Sequence, residues 1–401
     1  MFNLFDYVHW RSDLSFDQAG LNEVDFAIFS QIVMIPYSLS IDMPQLNTNK
    51  SISLEQLGLL IQKNKTSFVN NIGLIIPVQL VDLIIKVCNS NRYKNIILKN
   101  YISDICINKE MQFTALTLDL EDDMRVVVFS GTDDTIIGWK ENFNMMFTYP
   151  TEAQKSSLTY LEKVSKGKDL YIVGHSKGGN LSMFSALHTT KRIYRKVKHV
   201  YCFDAPGLSE DIILDEDNKE RLEKITGYSP QTAIIGRLFN HYEKEKVIYS
   251  NNLGLYQHDL LSWEVEVDHF KEIRSRDNDS IYIENKINTM LSKMTPIMRE
   301  EFVEVGYGLF LRTKSQTLSE LNRSKIKLMK QFLNVNKADR KILDSTLIEL
   351  LKDKIVAKNI LFVVKESIDK GKEKIKPQKK YKVWEIVLIV LGSPLWLSLL
   401  I

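Results

Sequence analysis

Asp169-Leu170-Tyr171-Ile172-Val173-Gly174-His175-Ser176-Lys177-Gly178-Gly179-Asn180 is the stretch on which the reading of this chain turns. A strand-like apolar run ends at Val173, and a helix-like one continues from Asn180 through Leu187. Between them, Gly174-His175-Ser176-Lys177-Gly178 fits the Gly-x-Ser-x-Gly pattern of a nucleophile elbow, a strained strand-to-helix turn that exposes a serine hydroxyl. Neighbouring backbone passes close to such a turn, so its flanking positions must be small, as Gly174 and Gly178 are. The competing reading is a plain glycine-rich turn. Strand and helix signals on either side favour the elbow.

A serine nucleophile needs a base, an acid that orients the base, and an oxyanion hole. Behind an elbow of this kind the chain order is serine, acid, histidine. Of the seven histidines (His9, His175, His188, His199, His241, His258 and His269), order leaves the last three as the base. His258 lies in the loop-like Gly254-Leu255-Tyr256-Gln257-His258-Asp259 and is the expected base. His241 has a charged setting, and His269 follows an alternating stretch, Val265 to Asp268.

Two carboxylates compete as the acid. Asp204 follows the apolar strand 197–203, whose carboxyl end lies on the same rim of the sheet as Ser176. Its bland reading is a turn-capping aspartate before Pro206. Glu243 sits one strand later, nearer the more usual acid position, but its neighbours Lys244, Glu245 and Lys246 read as a solvated face. Rim geometry favours Asp204, with Glu243 as the alternative. For the oxyanion hole, the backbone N–H of Lys177 is one expected donor. Thr132 in Phe129-Ser130-Gly131-Thr132-Asp133-Asp134 is the other.

Around these residues the pattern is that of an α/β protein. Residues 21–40 read as an amphipathic helix with Val24, Ile28, Ile32 and Ile35 at helical spacing. The runs 113–118 and 125–129 flank the acidic Glu121-Asp122-Asp123 and look like a hairpin. Helices are expected at 139–147 and 152–166, strands at 169–173 and 197–203, and weaker strands at 232–235 and 247–249. Strands alternating with helices imply a mostly parallel sheet covered on both faces. Beyond about residue 275 the strands stop, and 281–294, 295–312, 315–333, 337–352 and 355–368 read as helices. The expected organisation is an α/β domain over 1–275, a helical appendage over 276–370, a basic linker over 371–383 and an apolar segment over 384–401.

Composition excludes little but narrows the class. The chain has 401 residues, 44% apolar and 26% charged, as in ordinary globular proteins. A net charge of +3 gives no reason to expect nucleic acid. Cys88, Cys106 and Cys202 are widely spaced, without metal-like pairs, and fit a reducing compartment; no metal or cofactor is expected. The start of the chain has no secretory pattern. Near its end IVLIVLGSPLWLSLLI, residues 386–401, carries no charge and follows Lys379, Lys380 and Lys382. It falls short of the ~20 residues of a bilayer span. A tail anchor, the start of a longer membrane region and a buried terminal helix compete. Association with a membrane, with the rest of the chain on its cytoplasmic side, is the expectation.

Phe129-Ser130-Gly131-Thr132 followed by Trp139-Lys140-Glu141-Asn142-Phe143, the elbow through Asn180, Phe203-Asp204-Ala205-Pro206-Gly207, and Gln257-His258-Asp259 with Trp263 together resemble one pattern. It is that of the class-3-lipase-like α/β-hydrolases, and most closely of a bacterial Mbeg-one-like group of unknown function. The similarity runs from about residue 21 to near residue 350. The resemblance implies an α/β-hydrolase fold with Ser176 as nucleophile, His258 as base, Asp204 as acid and Thr132 at the oxyanion position. Such lipases usually carry an apolar residue or glutamine where this chain has Lys177, and arginine in place of Ser130. The Lys177 ammonium is expected either beside the oxyanion hole, favouring an anionic acyl group, or in solvent. The expected activity is hydrolysis of an ester, with lipids as the expected substrate class. A membrane-tethered, catalytically inactive scaffold is the alternative. The protein partner of the helical appendage is left open.

Overall fold

The computed structural model describes residues 2–40, 50–120, 123–209, 212, 216–324, 327–328, 330–331 and 334–343. Glu121 and Asp122 of the acidic turn, the linker 371–383, the apolar segment 384–401, the helix expected at 355–368 and most of that at 337–352 lie outside these residues. Among the described residues no helix is long and apolar enough to cross a membrane.

The described residues form eleven strands: β1 Ser51–Ser53, β2 Ile97–Cys106, β3 Met111–Asp119, β4 Met124–Phe129, β5 Asp169–His175, β6 Val197–Phe203, β7 Ile225–Pro230, β8 Lys244–Ile248, β9 Val265–Glu266, β10 His269–Phe270 and β11 Glu272–Ile273. Nine build one sheet in the order β1-β2-β3-β4-β5-β6-β7-β8-β11, while β9 and β10 form a small hairpin. The strands β4 to β8 are parallel. Antiparallel pairs flank them; β2–β3 and the expected β3–β4 hairpin have connections too short for a crossover, while β1–β2 and β8–β11 are joined by longer segments.

Spatial order follows chain order, so every parallel crossover steps the same way. Right-handed crossovers in one direction put their helices on one face of the sheet. Helices Glu152–Val164 and Lys177–His188 lie there, over Val127, Phe129, Ile172, Val200 and Cys202. The alternate residues Val126, Val128, Val173 and Phe203 point to the other face. Among the described residues that face has no crossover helix of its own. The described residues of 4–40 and 50–89 cover it, chiefly through helices Glu23–Ile32 and Gln79–Asn89.

This role explains a departure from the expected amphipathic helix. The helix at 21–40 is two pieces, Glu23–Ile32 and Tyr37–Ser40, parted before Pro36, and the first is buried along Val24–Ile32. Even Asp25 is buried, held by Arg92 at 2.5 Å and by the Tyr93 hydroxyl. Among the described residues the elements after β11 are helices: Asn278–Ser292, Pro296–Thr313 and Leu318–Arg323. Their apolar residues Ile283, Ile287, Phe302, Leu309 and Phe310 share a cluster with Ile136, Trp139, Phe143 and Leu255.

Candidate active site

The parallel strands β4, β5 and β6 deliver three loops side by side to their carboxyl rim, beginning at Ser130, Ser176 and Asp204. Ser176 takes φ 56° and ψ −130°, a strained conformation for a residue with a side chain. The turn is possible because both flanks are glycine. A Cβ on Gly174 would stand 2.1 Å from the carbonyl carbon of Gly178, and one on Gly178 would stand 2.1 Å from the Phe129 oxygen. The Ser176 N–H donates to the Phe203 carbonyl at 2.9 Å, tying the elbow to the residue before Asp204. Ser176 remains partly exposed.

Asp204 and His258 meet. The imidazole Nδ1 lies 2.6 Å from Asp204 Oδ2, and the carboxylate is buried. Asp204 sits at φ 40°, with its N–H donating to Tyr228 at 2.7 Å. Gly236 packs directly on it: a Cβ there would approach Asp204 Oδ1 to 2.0 Å. His258 arrives on a loop fastened by its neighbours. Gln257 accepts the Thr232 N–H at 2.7 Å and donates to Asn252, Trp263 Nε1 donates to the Gln257 carbonyl, and Asp259 caps the following turn. Among the described residues no hydrogen bond joins the Ser176 hydroxyl to His258. Such contacts are often long until substrate binds.

The other candidates lie apart from this pair. Glu243 accepts from His241 Nδ1 at 2.7 Å and from the Tyr242 N–H, and both side chains of the His241–Glu243 pair are buried. The solvated face expected there is instead the start of β8, with Glu243 turned inward. His269 is exposed on the β9–β10 hairpin. The strand expected at 232–235 is a turn and a short 3-10 helix, Ile235–Arg237; the strand is β7, whose Gly227 and Pro230 masked its signal.

Thr132, in the loop after β4 where the oxyanion donor is expected, accepts from Asn142 Nδ2 at 2.6 Å through its hydroxyl oxygen. The amide takes up the oxygen's acceptor role and leaves the hydroxyl proton to be donated elsewhere. Asp134 fixes the far end of the loop. Its carboxylate accepts from the Leu74 and Ser319 N–H groups at 3.0 and 3.2 Å, and its carbonyl from Leu318 at 2.8 Å. Lys177 opens helix Lys177–His188, so its N–H is among the donors that a helix start leaves without an intrahelical partner.

Neither orientation expected for the Lys177 side chain occurs. Its ammonium is buried, donating to the Gln112 carbonyl at 2.7 Å, to Gln112 Oε1 at 2.5 Å and to Glu141 Oε2 at 3.1 Å. A charge buried under the elbow needs a partner, and Glu141 on helix Ile136–Asn144 supplies it. Removing one member of such a pair costs about 3–5 kcal/mol.

Two residues that pattern reading left without a role complete the site. His175 stacks on His258 with ring centroids 4.4 Å apart, and its Nε2–H donates to the His258 carbonyl at 2.8 Å. Burial, with His258 beside it, holds the His175 pKa well below the ordinary histidine value, so the ring stays neutral. Asn142 holds Thr132. Both residues stood in quoted motifs, yet only the folded chain shows what they touch.

A protein-family model described as Mbeg1-like matches residues 87–308, more than half of the chain. Solved structures that match include "Rhizomucor miehei lipase propeptide complex, native", 17% identical with a TM-score of 0.28 over 39% of this chain and 58% of that one. "Crystal structure of M37 lipase" is 13% identical with a TM-score of 0.30 over 54% of this chain and 69% of the other. The chain thus spans 58% of the length of the Rhizomucor chain. No curated protein matches.

Proposed function

The chain belongs to the Mbeg1-like family, and on that footing we propose that it is a serine hydrolase of carboxylic esters. The observation that carries the reading is the 2.6 Å hydrogen bond between Asp204 and His258 beside a serine held at φ 56°. Ser176 attacks the ester carbonyl as His258 takes its proton. Asp204 holds the Nδ1–H tautomer and stabilises the imidazolium, and Thr132 with the Lys177 N–H receives the charge on the carbonyl oxygen. His258 then returns the proton to the leaving alcohol, and water releases the acyl group from Ser176 by the same steps.

Lipid esters are the substrate class we favour. The reason is the apolar sequence 386–401, which suits attachment at the cytoplasmic face of a membrane. The test is turnover of p-nitrophenyl esters and of glycerolipid vesicles by the full chain. Ser176→Ala is expected to reduce both to the uncatalysed rate. Wild-type protein that hydrolyses neither supports the inactive-scaffold alternative instead.

A further inference from the structure

Helix Ile136–Asn144 carries two adjacent residues that each grip one side of the oxyanion hole proposed above. Asn142 holds the Thr132 hydroxyl at 2.6 Å, and Glu141 holds the Lys177 ammonium at 3.1 Å. Resting on the serine-hydrolase reading, we propose that the buried Lys177–Glu141 pair is a positioning device, which sets where the Lys177 N–H stands relative to Thr132.

Three features support it. First, the ammonium is saturated: its three donors meet the Gln112 carbonyl, Gln112 Oε1 and Glu141 Oε2. It has no donor left for an acyl group, so its influence runs through its own backbone. Second, Glu141 is anchored on both oxygens. Oε2 also accepts the Gln112 N–H at 3.0 Å, and Oε1 accepts the Ala153 N–H at 2.8 Å. The residue after the nucleophile is thereby tied to β3, to helix Ile136–Asn144 and to the start of helix Glu152–Val164. Third, the next residue towards the helix start, Lys140, is itself held from outside. It is buried against Glu110 and reaches Glu304 at 2.6 Å, with its ammonium 4.4 Å from the Tyr307 ring centre. Helix Pro296–Thr313 therefore braces the helix that spaces the two donors.

An oxyanion donor acts on the transition state and little on the bound ester, so its displacement lowers kcat more than it raises KM. Lys177→Met and Glu141→Gln each leave a buried charge without its partner and are expected to unfold at lower temperature. Lys177→Met with Glu141→Gln removes both charges. The double variant still leaves one of the two backbone N–H groups, of Gln112 or Ala153, without its acceptor. It is therefore expected to unfold at a higher temperature than either single variant but below wild type, and still to turn over about 10- to 100-fold more slowly, with KM within about twofold of wild type. A double variant that regains this stability and wild-type kcat together makes the pair merely structural and overturns the proposal. A loss carried by KM alone also overturns it. Fluorophosphonate labelling of the same preparations separates this from the parent reading: label on wild type but not on Ser176→Ala upholds the hydrolase whatever the pair does, and an unlabelled wild type overturns both.

Discussion

At the scale of single residues, His258 and His241 are an instructive contrast. Each points Nδ1 at a buried carboxylate, at 2.6 and 2.7 Å. Only His258 lies beside the elbow, stacked on the residue that precedes Ser176. His241→Ala is expected to keep most turnover, whereas His258→Ala loses nearly all of it; ester hydrolysis at matched folded concentration decides. Asp204→Asn, which leaves the shape and misplaces the tautomer, should lower kcat by about ten-thousand-fold. The Asp204 contact was foreseeable from rim position, because a sheet fixes where strand ends stand. The Lys177 contacts were not. A lysine after a nucleophile reads the same whether its ammonium turns to solvent or inward, and its partners Gln112 and Glu141 are distant in sequence.

Elements were legible where a local signal and the final environment agree. The runs at β5 and β6 are apolar because both faces of these strands are covered, and the Gly-x-Ser-x-Gly turn marks the boundary between β5 and its helix. β7 was missed because Gly227 and Pro230 sit inside it. Helix Glu23–Ile32 was expected to keep a polar face, and it lost that face because, among the described residues, the sheet beneath has no crossover helix on that side. The loop after β4, proposed to carry the oxyanion donor Thr132, belongs to this scale too. Its Asp134 receives N–H donors from Leu74 on one side and Ser319 on the other, contacts that span 60 and 185 residues. Asp134→Ala is expected to destabilise the fold by about 1–2 kcal/mol, by removing the acceptor of the exposed Leu74 N–H and of the partly buried Ser319 N–H. It should also slow turnover, without altering the Asp204–His258 pair. Thermal unfolding alongside steady-state kinetics checks both.

For the whole molecule, stability should depend on pH in a definite direction. Burial depresses the pKa of His175 and also, with Lys244 and Lys246 nearby, that of His199. As pH falls through the ordinary histidine range near ~6.5, the unfolded chain takes up protons that these rings refuse in the native state, so stability falls. The unfolding temperature is expected to drop between about pH 7 and pH 5. His199→Gln, distant from the rim, should flatten part of that drop; an unchanged slope would exclude His199 as a contributor. The same view joins the helices after residue 277 to the rest of the fold, since their apolar residues pack with Trp139, Phe143 and Leu255.

The catalytic reading turns on whether Ser176 is an activated nucleophile. The full chain should be treated with a fluorophosphonate at neutral pH, digested, and the modified peptide identified by mass spectrometry. One adduct is expected, on Ser176, strongly reduced in His258→Ala and absent in Ser176→Ala. Equal labelling of wild type and Ser176→Ala, or none in either, would contradict the assignment of Ser176 as the nucleophile.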